Sequence, residues 1–159
     1  MSEKPEKMVK TADHERILDT LAPCGLNCLK CFAHAKGEIR LLSSKLKRSL
    51  GAFDRYAERF SKFLPVFRNY LLFKEFLSYL AQGDCLGCRR GTCRYPNCGV
   101  ISCSQQMRVD FCCQCPKFPC EKTNFDPDLK RRWIEMNERM KEIGIEAYYQ
   151  ESRDLPRYR

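Results

Sequence analysis

Twelve cysteines place the tightest limit on how this chain of 159 residues can fold. They are confined to two stretches, one near the N-terminus and one within residues 85–120. The first contains Cys24, Cys28 and Cys31, and the second contains Cys85, Cys88, Cys93, Cys98, Cys103, Cys112, Cys113, Cys115 and Cys120. Thiols at this density either pair as disulfides or gather around metal, and the redox compartment decides which of the two occurs.

Residues 1–20 lack the apolar core of a secretory signal, so we expect a cytoplasmic protein. Thiols stay reduced there, and closely spaced cysteines then indicate metal binding rather than disulfides. The longest apolar runs, such as residues 70–73, are much shorter than a membrane span, so no membrane association is expected. The length predicts a flexible N-terminus over residues 1–19 and a single domain over residues 20–159.

The net charge of +9 does not by itself indicate a nucleic-acid partner. Four thiolates around zinc or a [4Fe-4S] core carry a net charge of about −2, so three such sites would lower the total to about +3. Four arginines near the cysteines are expected to favour the thiolate forms. They are Arg89, Arg90, Arg94 and Arg108. The basic surplus in residues 35–82 keeps nucleic-acid binding only as a weaker alternative.

Apolar spacing predicts helices over residues 38–82. Apolar residues recur every three or four positions from Ile39 to Leu50, which is the helical period. Pro65 is expected to break this region and to leave residues 66–81 as a separate helix. Because that helix carries apolar residues on every side, it is predicted to be the most buried one.

A second helical signal lies near the C-terminus, over residues 127–143. Asp126 is a good N-cap, Pro127 suits the first helical position and Gly144 suits the end. The remaining tail is expected to lie on the surface. Together with residues 38–82, this helix predicts a mainly α fold.

The segment from 83 to 120 has no regular period. Cys88, Cys93, Cys98 and Cys103 are each five residues apart, a spacing that fits neither a helix nor a strand. Apolar residues are few, so the segment needs metal to fold. We therefore predict a small helical domain with an irregular, metal-stapled cysteine-rich segment, made of loops that wrap around metal.

The cysteine spacing allows two metals. Zinc commonly takes two C-x2-C pairs, for which Cys85/Cys88 and Cys112/Cys115 are suited. An iron–sulfur cluster often takes three thiols from one loop, as in the C-x3-C-x2-C spacing that starts at Cys24. Radical S-adenosylmethionine enzymes share that spacing, but the helices that follow it here argue against that identity. No catalytic constellation is present, and an enzyme is not expected.

The ordered cysteines resemble those of a bacterial and archaeal family known as domain of unknown function 3795. The resemblance runs through Cys24-Gly25-Leu26-Asn27-Cys28-x2-Cys31, Cys85-x2-Cys88, Cys98-x4-Cys103 and Cys112-x2-Cys115-x4-Cys120-Glu121-Lys122. One branch also has Gly51-Ala52-Phe53-Asp54-x-Tyr56-Ala57, Cys93, Arg132-Trp133 and the Pro156-Arg157-Tyr158 tail. The resemblance covers residues 20–159 and implies a metal-binding cysteine framework in a cytoplasmic protein, frequent in anaerobes, without an established activity.

Cys113 departs from the family pattern, which leaves eleven expected ligands. They are Cys24, Cys28, Cys31, Cys85, Cys88, Cys93, Cys98, Cys103, Cys112, Cys115 and Cys120. Whether Cys113 or His34 also binds metal stays open. Eleven thiols fill two sites of four and leave a third of three, for which the trio beginning at Cys24 is the natural candidate.

The leading prediction is a non-catalytic protein with two to three metal sites. Structural zinc would support an interaction with a protein partner or a regulatory role. The alternative is a redox or electron-transfer protein with [4Fe-4S] clusters. A zinc-dependent nucleic-acid binder, using the basic face of residues 38–82, is the weaker alternative.

Overall fold

The computed structural model describes residues 12–91 and 93–159 and confirms that the fold is mainly α. Within these residues there are seven α-helices and no strand. The helices are α1 (Ala12–Thr20), α2 (Glu38–Leu50), α3 (Asp54–Phe60), α4 (Tyr70–Ala81), α5 (Val100–Met107), α6 (Pro127–Ile143) and α7 (Ile145–Asp154). Short 3₁₀ turns lie at Cys28–Lys30, Pro65–Asn69, Cys88–Arg90 and Cys112–Gln114.

The chain folds into two compact units. The first unit comprises Met1–Leu26 and Gly99–Leu155, and the second comprises Asn27–Cys98 and Pro156–Arg159. Residues 1–11 of the predicted flexible N-terminus lie outside the described residues. The rest of that segment is helical, since it falls within α1, where Ile17 is buried.

The core of the first unit is built on α6. Its predicted N-cap is present, because the Asp126 carboxylate accepts hydrogen bonds from the N–H groups of Asp128 and Leu129, each at 3.0 Å. Trp133 lies on the buried face of this helix, only 1% exposed. The expectation of a surface tail after Gly144 was wrong for Tyr148 and Tyr149, because α7 follows directly, packs against α6 and buries both. Pro156 and Tyr158 are exposed, as expected.

The second unit is built on α2 and α4, which pack against each other in antiparallel directions. The Ser44 hydroxyl of α2 donates to the carbonyl of Ala81 at the end of α4 (3.4 Å). At the opposite end, Phe53 follows α2 and its ring lies 5.3 Å from that of Tyr70, the first residue of α4. The aromatic residues of the 53–67 region thus close one end of the helix pair.

The prediction that the helix over residues 66–81 is the most buried one was wrong. In α4 only Tyr70 and Leu77 are buried. One face of α4 packs mainly against α2, with α3 and the turn at Pro65–Asn69 as smaller contacts, and these neighbours leave much of a helix that is apolar all round exposed.

In the described part of the chain, every helix is too short or too polar to cross a membrane.

Candidate metal centre

A tight turn fixes Cys24 in the first unit. The N–H of Gly25 donates to the Ala22 carbonyl (2.9 Å), and Gly25 has a φ of +93°, which a side chain would disfavour. The Asn137 amide donates to the Cys24 carbonyl (3.0 Å), and the Tyr148 hydroxyl donates to the Gly25 carbonyl (3.0 Å). Helices α6 and α7 therefore hold this turn, and Cys24 is buried.

The Cys112 turn is hydrogen-bonded to the same segment. The N–H of Cys112 donates to the Pro23 carbonyl at 2.9 Å. The side-chain oxygen of Gln114 accepts from the N–H of Phe111 at 2.9 Å, and the Phe111 side chain is fully buried. Cys112 therefore contacts Pro23, the residue before Cys24, although 88 positions separate the two cysteines in the sequence.

Gly99 brings two further cysteine-bearing segments together. Its N–H donates to the Thr123 carbonyl (3.2 Å), and its carbonyl accepts from the N–H of Cys103 in the first turn of α5 (3.1 Å). A Cβ at Gly99 would overlap the Lys122 carbonyl oxygen, so the close approach requires glycine. The start of α5 is thereby fastened to the segment that follows Cys120.

Four thiols of the first unit interact electrostatically; we call them the first thiol group. They are Cys24, Cys103, Cys112 and Cys120. The pKa of the Cys112 thiol is raised to about 12, mainly by burial, and negative charge on the other three thiols contributes to this rise. Cys103, Cys112 and Cys120 also line a pocket of about 350 Å³, mouth included, together with Cys115 and apolar side chains such as Val100 and Val109.

Trp133 supplies a buried donor beside the first thiol group. Its indole N–H faces the Cys112 sulfur, where it lowers the pKa of that thiol against the effect of burial. The indole nitrogen nevertheless has no acceptor at full hydrogen-bonding geometry. A buried N–H group without an acceptor is costly, and a thiolate at Cys112 would provide one.

A second thiol group lies in the second unit; it consists of Cys28, Cys88, Cys93 and Cys98. The pKa of Cys28 is lowered, mainly because its sulfur hydrogen-bonds to the Cys88 thiol. The pKa of Cys93 is lowered as well, by hydrogen bonds to the thiols of Cys88 and Cys98. A network of this kind places negative charge on sulfur and shares the remaining protons among its neighbours.

Arg157 is the positively charged residue that acts on the second thiol group. Its positive charge contributes to the lowered pKa values of Cys28 and Cys93. Its guanidinium donates to the Asn27 carbonyl at 2.8 Å, which holds the C-terminal tail on the turn that carries Cys28. The sequence prediction had assigned this role to other arginines, of which Arg94 pairs with Asp84 instead.

Paired backbone hydrogen bonds join the segment around His34 to Cys85 in the second unit. The N–H of Cys85 donates to the Ala33 carbonyl (2.9 Å), and the N–H of Ala35 donates to the Cys85 carbonyl (2.8 Å). Between them, His34 is buried, and its Nδ1 accepts from the N–H of Lys36 (3.1 Å), which leaves Nε2 as the protonated nitrogen of the neutral ring. Burial lowers the pKa of His34, and nothing in these contacts makes it a thiol partner.

The other four cysteines are placed differently. Cys31 has its sulfur 3.7 Å from the Tyr158 hydroxyl, and the Cys85 sulfur accepts from the N–H of Gly87 at 3.4 Å. Burial raises the pKa of Cys113, whose charged neighbours are Lys141 and Glu138. Cys115 lines the pocket of the first thiol group.

The structure groups the cysteines differently from the sequence pattern. The expected zinc pairs Cys85/Cys88 and Cys112/Cys115 fall in different units. The expected trio divides as well, because Cys24 belongs to the first unit whereas Cys28 and Cys31 belong to the second. Each thiol group instead combines one cysteine of the N-terminal stretch with three of the later one.

Sulfur is the shared donor of both groups, which suits zinc or an iron–sulfur cluster. Over residues 12–91 and 93–159, no three His, Cys, Asp or Glu side chains already stand in position to hold one metal ion. The thiols are thus neighbours, drawn together by backbone contacts, rather than a completed coordination shell.

Two residues beside these groups were missed from the sequence. Trp133 fits the apolar stripe of α6, so its spacing indicates packing alone, and Arg157 lies far from every cysteine in the chain. Both belong to segments that carried the family resemblance, Arg132-Trp133 and Pro156-Arg157-Tyr158. That resemblance was the only feature of the sequence that could have pointed to them.

Comparison with known proteins gives one match. The model of the family described as "Protein of unknown function (DUF3795)" matches residues 20–125. No curated protein and no solved structure matches the chain.

Proposed function

The chain belongs to the DUF3795 family, and we propose that it binds metal through two groups of four cysteine thiols. The observation that carries the proposal is the gathering of thiols that are far apart in sequence. In the first group, Cys24 interacts with cysteines from residues 103–120. In the second group, Cys28 interacts with cysteines from residues 88–98. Such convergence of soft sulfur donors is typical of a metal site.

The thiols of the two groups differ in how readily they would bind a metal cation. In the second group the lowered pKa values of Cys28 and Cys93 favour thiolates, the forms that bind metal. In the first group, burial and mutual repulsion hold the pKa of Cys112 near 12, which disfavours the free thiolate, so the attraction of a bound metal cation would have to offset both effects. The Trp133 N–H would then donate to a metal-bound thiolate.

Zinc is the metal that we propose first. Four thiolates satisfy its tetrahedral preference, and structural zinc supplies folding free energy to segments with small cores. Its role here would be to hold a surface for interaction or regulation rather than to catalyse a reaction. Because reduced thiols are required, we propose a cytoplasmic location and a bacterial or archaeal origin in keeping with the family resemblance.

A [4Fe-4S] cluster in the first thiol group is the second candidate, and the pocket favours it. The lining of that pocket includes Val100, Val109 and Trp133. Such an apolar lining and N–H donors near sulfur are features that tune cluster potentials.

Anaerobic purification, metal analysis and a visible spectrum test these alternatives together. Zinc predicts a colourless protein with two equivalents of metal per chain. A brown protein with iron and acid-labile sulfide would show that a [4Fe-4S] cluster, rather than zinc, occupies at least one group. A protein that contains neither metal, and that takes up neither zinc nor iron with sulfide after reduction, would contradict the proposal.

A further inference from the structure

The segment Pro156–Arg159 follows α7 in the chain but belongs to the second unit. We call it the strap. Its guanidinium and hydroxyl groups bracket the turn that carries Cys28. Arg157 donates to the Asn27 carbonyl (2.8 Å), just before the turn, and the Tyr158 hydroxyl accepts from the N–H of Phe32 (3.1 Å), just after it. The strap therefore holds both ends of the turn.

The turn also has hydrogen bonds of its own. The N–H of Cys31 donates to the Cys28 carbonyl, and the Asn27 side chain accepts from the N–H of Leu29, both at 3.0 Å. Loss of the strap would therefore leave the turn formed but no longer held from outside. The change expected on detachment is a movement of the turn rather than its unfolding.

Detachment of the strap exposes little new surface. Tyr158 is already 55% exposed, and its ring centroid lies 6.4 Å from that of Phe32. Its hydroxyl lies 3.7 Å from the Cys31 sulfur, so the strap partly covers this thiol as well. Because few contacts are lost, the strap opens at a much lower free-energy cost than the unfolding of the second unit.

Cys28 is the least accessible member of the second thiol group. Its side chain is 5% exposed, whereas Cys88, Cys93 and Cys98 are partly exposed. An external chelator or thiol reaches the exposed thiolates first and the buried one last. Cys28 is thus the ligand that would keep a metal longest, and the strap holds the turn on which it lies.

We propose that the strap gates metal exchange at the second thiol group. While Arg157 and Tyr158 hold the turn, Cys28 stays on the metal. When they detach, the turn moves and the metal passes to or from an external thiol or chelator. This inference rests on the proposed metal binding and adds kinetic control to one of the two groups, since the first thiol group lies in the other unit.

The test uses the full-length protein loaded with zinc, in a Cys24→Ala background that leaves the second thiol group as the site. An excess of a chromophoric chelator then reports the rate of zinc release. Tyr158→Phe should accelerate release about threefold or more, and Arg157→Lys with Tyr158→Phe about tenfold or more, since hydrogen bonds that close the strap are lost. Lysine keeps the positive charge beside the thiols.

Equilibrium zinc affinity separates a gate from a purely structural support. Both anchors of the strap lie outside residues 85–120, so we expect its contacts to persist with and without metal. The affinity of the double variant should therefore stay within about threefold while its release rate rises. Alkylation of Cys31 by iodoacetamide, mapped by mass spectrometry in the zinc-loaded protein, should rise in parallel, because Tyr158 no longer covers that thiol.

Two controls locate the effect. Arg159→Gln removes a positive charge from an exposed residue of the same segment and should change the release rate by less than about twofold. In a Cys28→Ala background, where zinc is expected only in the first thiol group, the strap variants should release zinc at the unchanged rate.

Four outcomes would overturn the gate while zinc binding stands. They are an affinity loss equal to the gain in release rate, unchanged alkylation of Cys31, raised alkylation with unchanged release, and equal acceleration at the first thiol group. Failure of the unmodified protein to take up zinc would overturn the gate together with the zinc binding on which it rests.

Discussion

The indole N–H of Trp133 faces the sulfur of Cys112 inside the first unit, and this one contact links the packing of the core to the charge state of a thiol. The ring fills the core of α6 and stacks edge-on against Phe118, 4.8 Å away. Its N–H lacks a full hydrogen bond while Cys112 is a neutral thiol and gains an acceptor once Cys112 is a thiolate. The same side chain packs the core and lies where it would donate to a thiolate at Cys112, the form that the proposed metal would bind.

Trp133→Phe should weaken metal binding about tenfold, because removal of a hydrogen bond to a ligand commonly costs ten- to a hundredfold in affinity. Zinc affinity, measured by competition with a chromophoric chelator, checks this. Phe118→Leu is the control, since it shrinks the same aromatic cluster but leaves the indole N–H in place. The zinc affinity of Phe118→Leu should stay within about twofold of that of the unchanged protein. An equal loss of affinity in both variants would show that Trp133 acts only through packing.

Among the elements, those with strong local signals were predictable from the sequence. Helix α6 follows from Asp126, Pro127 and Gly144, because capping depends only on neighbouring residues. The exposure of α4 did not follow, since apolar residues on all sides do not show whether a neighbour covers them. The thiol groups did not follow either, because contacts such as that of Gly99 with residues 122–123, rather than cysteine spacing, bring the segments together.

Gly99→Ala tests the contact between α5 and the segment after Cys120. The backbone of Gly99 is unstrained, with a φ of −84°, so the cost arises from the overlap of the new Cβ with the Lys122 carbonyl. We expect a loss of about 2 kcal/mol or more in unfolding free energy by urea denaturation, together with weaker metal binding in the first thiol group. Gly91→Ala, at a φ of +79° with open space around it, should cost only about 1 kcal/mol.

Metal removal should unfold the 85–120 segment selectively. Its buried apolar residues are few, with Cys85, Val100 and Phe111 the main ones, and they cannot offset an ordering cost of about 1–2 kcal/mol per residue. Chelation under reducing conditions should open residues 85–120 to proteolysis and keep most of the helical circular dichroism from α2, α4 and α6. Unchanged protease resistance in the segment would show that it folds without metal.

At the scale of the whole molecule, the chain passes from one unit to the other between Cys24 and Cys28. The two cysteines are four positions apart, yet each belongs to a different thiol group. The C-terminal segment Pro156–Arg159 returns to the second unit, where Arg157 and Tyr158 contact the turn around Cys28 and Cys31. Each unit is thereby assembled from two separate stretches of the chain, which local sequence patterns do not reveal.

This division predicts that metal content responds to Cys24 and Cys28 independently. Cys24→Ala should remove one equivalent from the first group, Cys28→Ala one from the second, and the double variant both, because each group then keeps only three thiols. Metal analysis after purification measures the loss, and Cys113→Ala, outside both groups, should keep the full content. If the three cysteines of the N-terminal stretch instead shared one site, the double variant would lose no more metal than either single variant, and the grouping by units would be wrong.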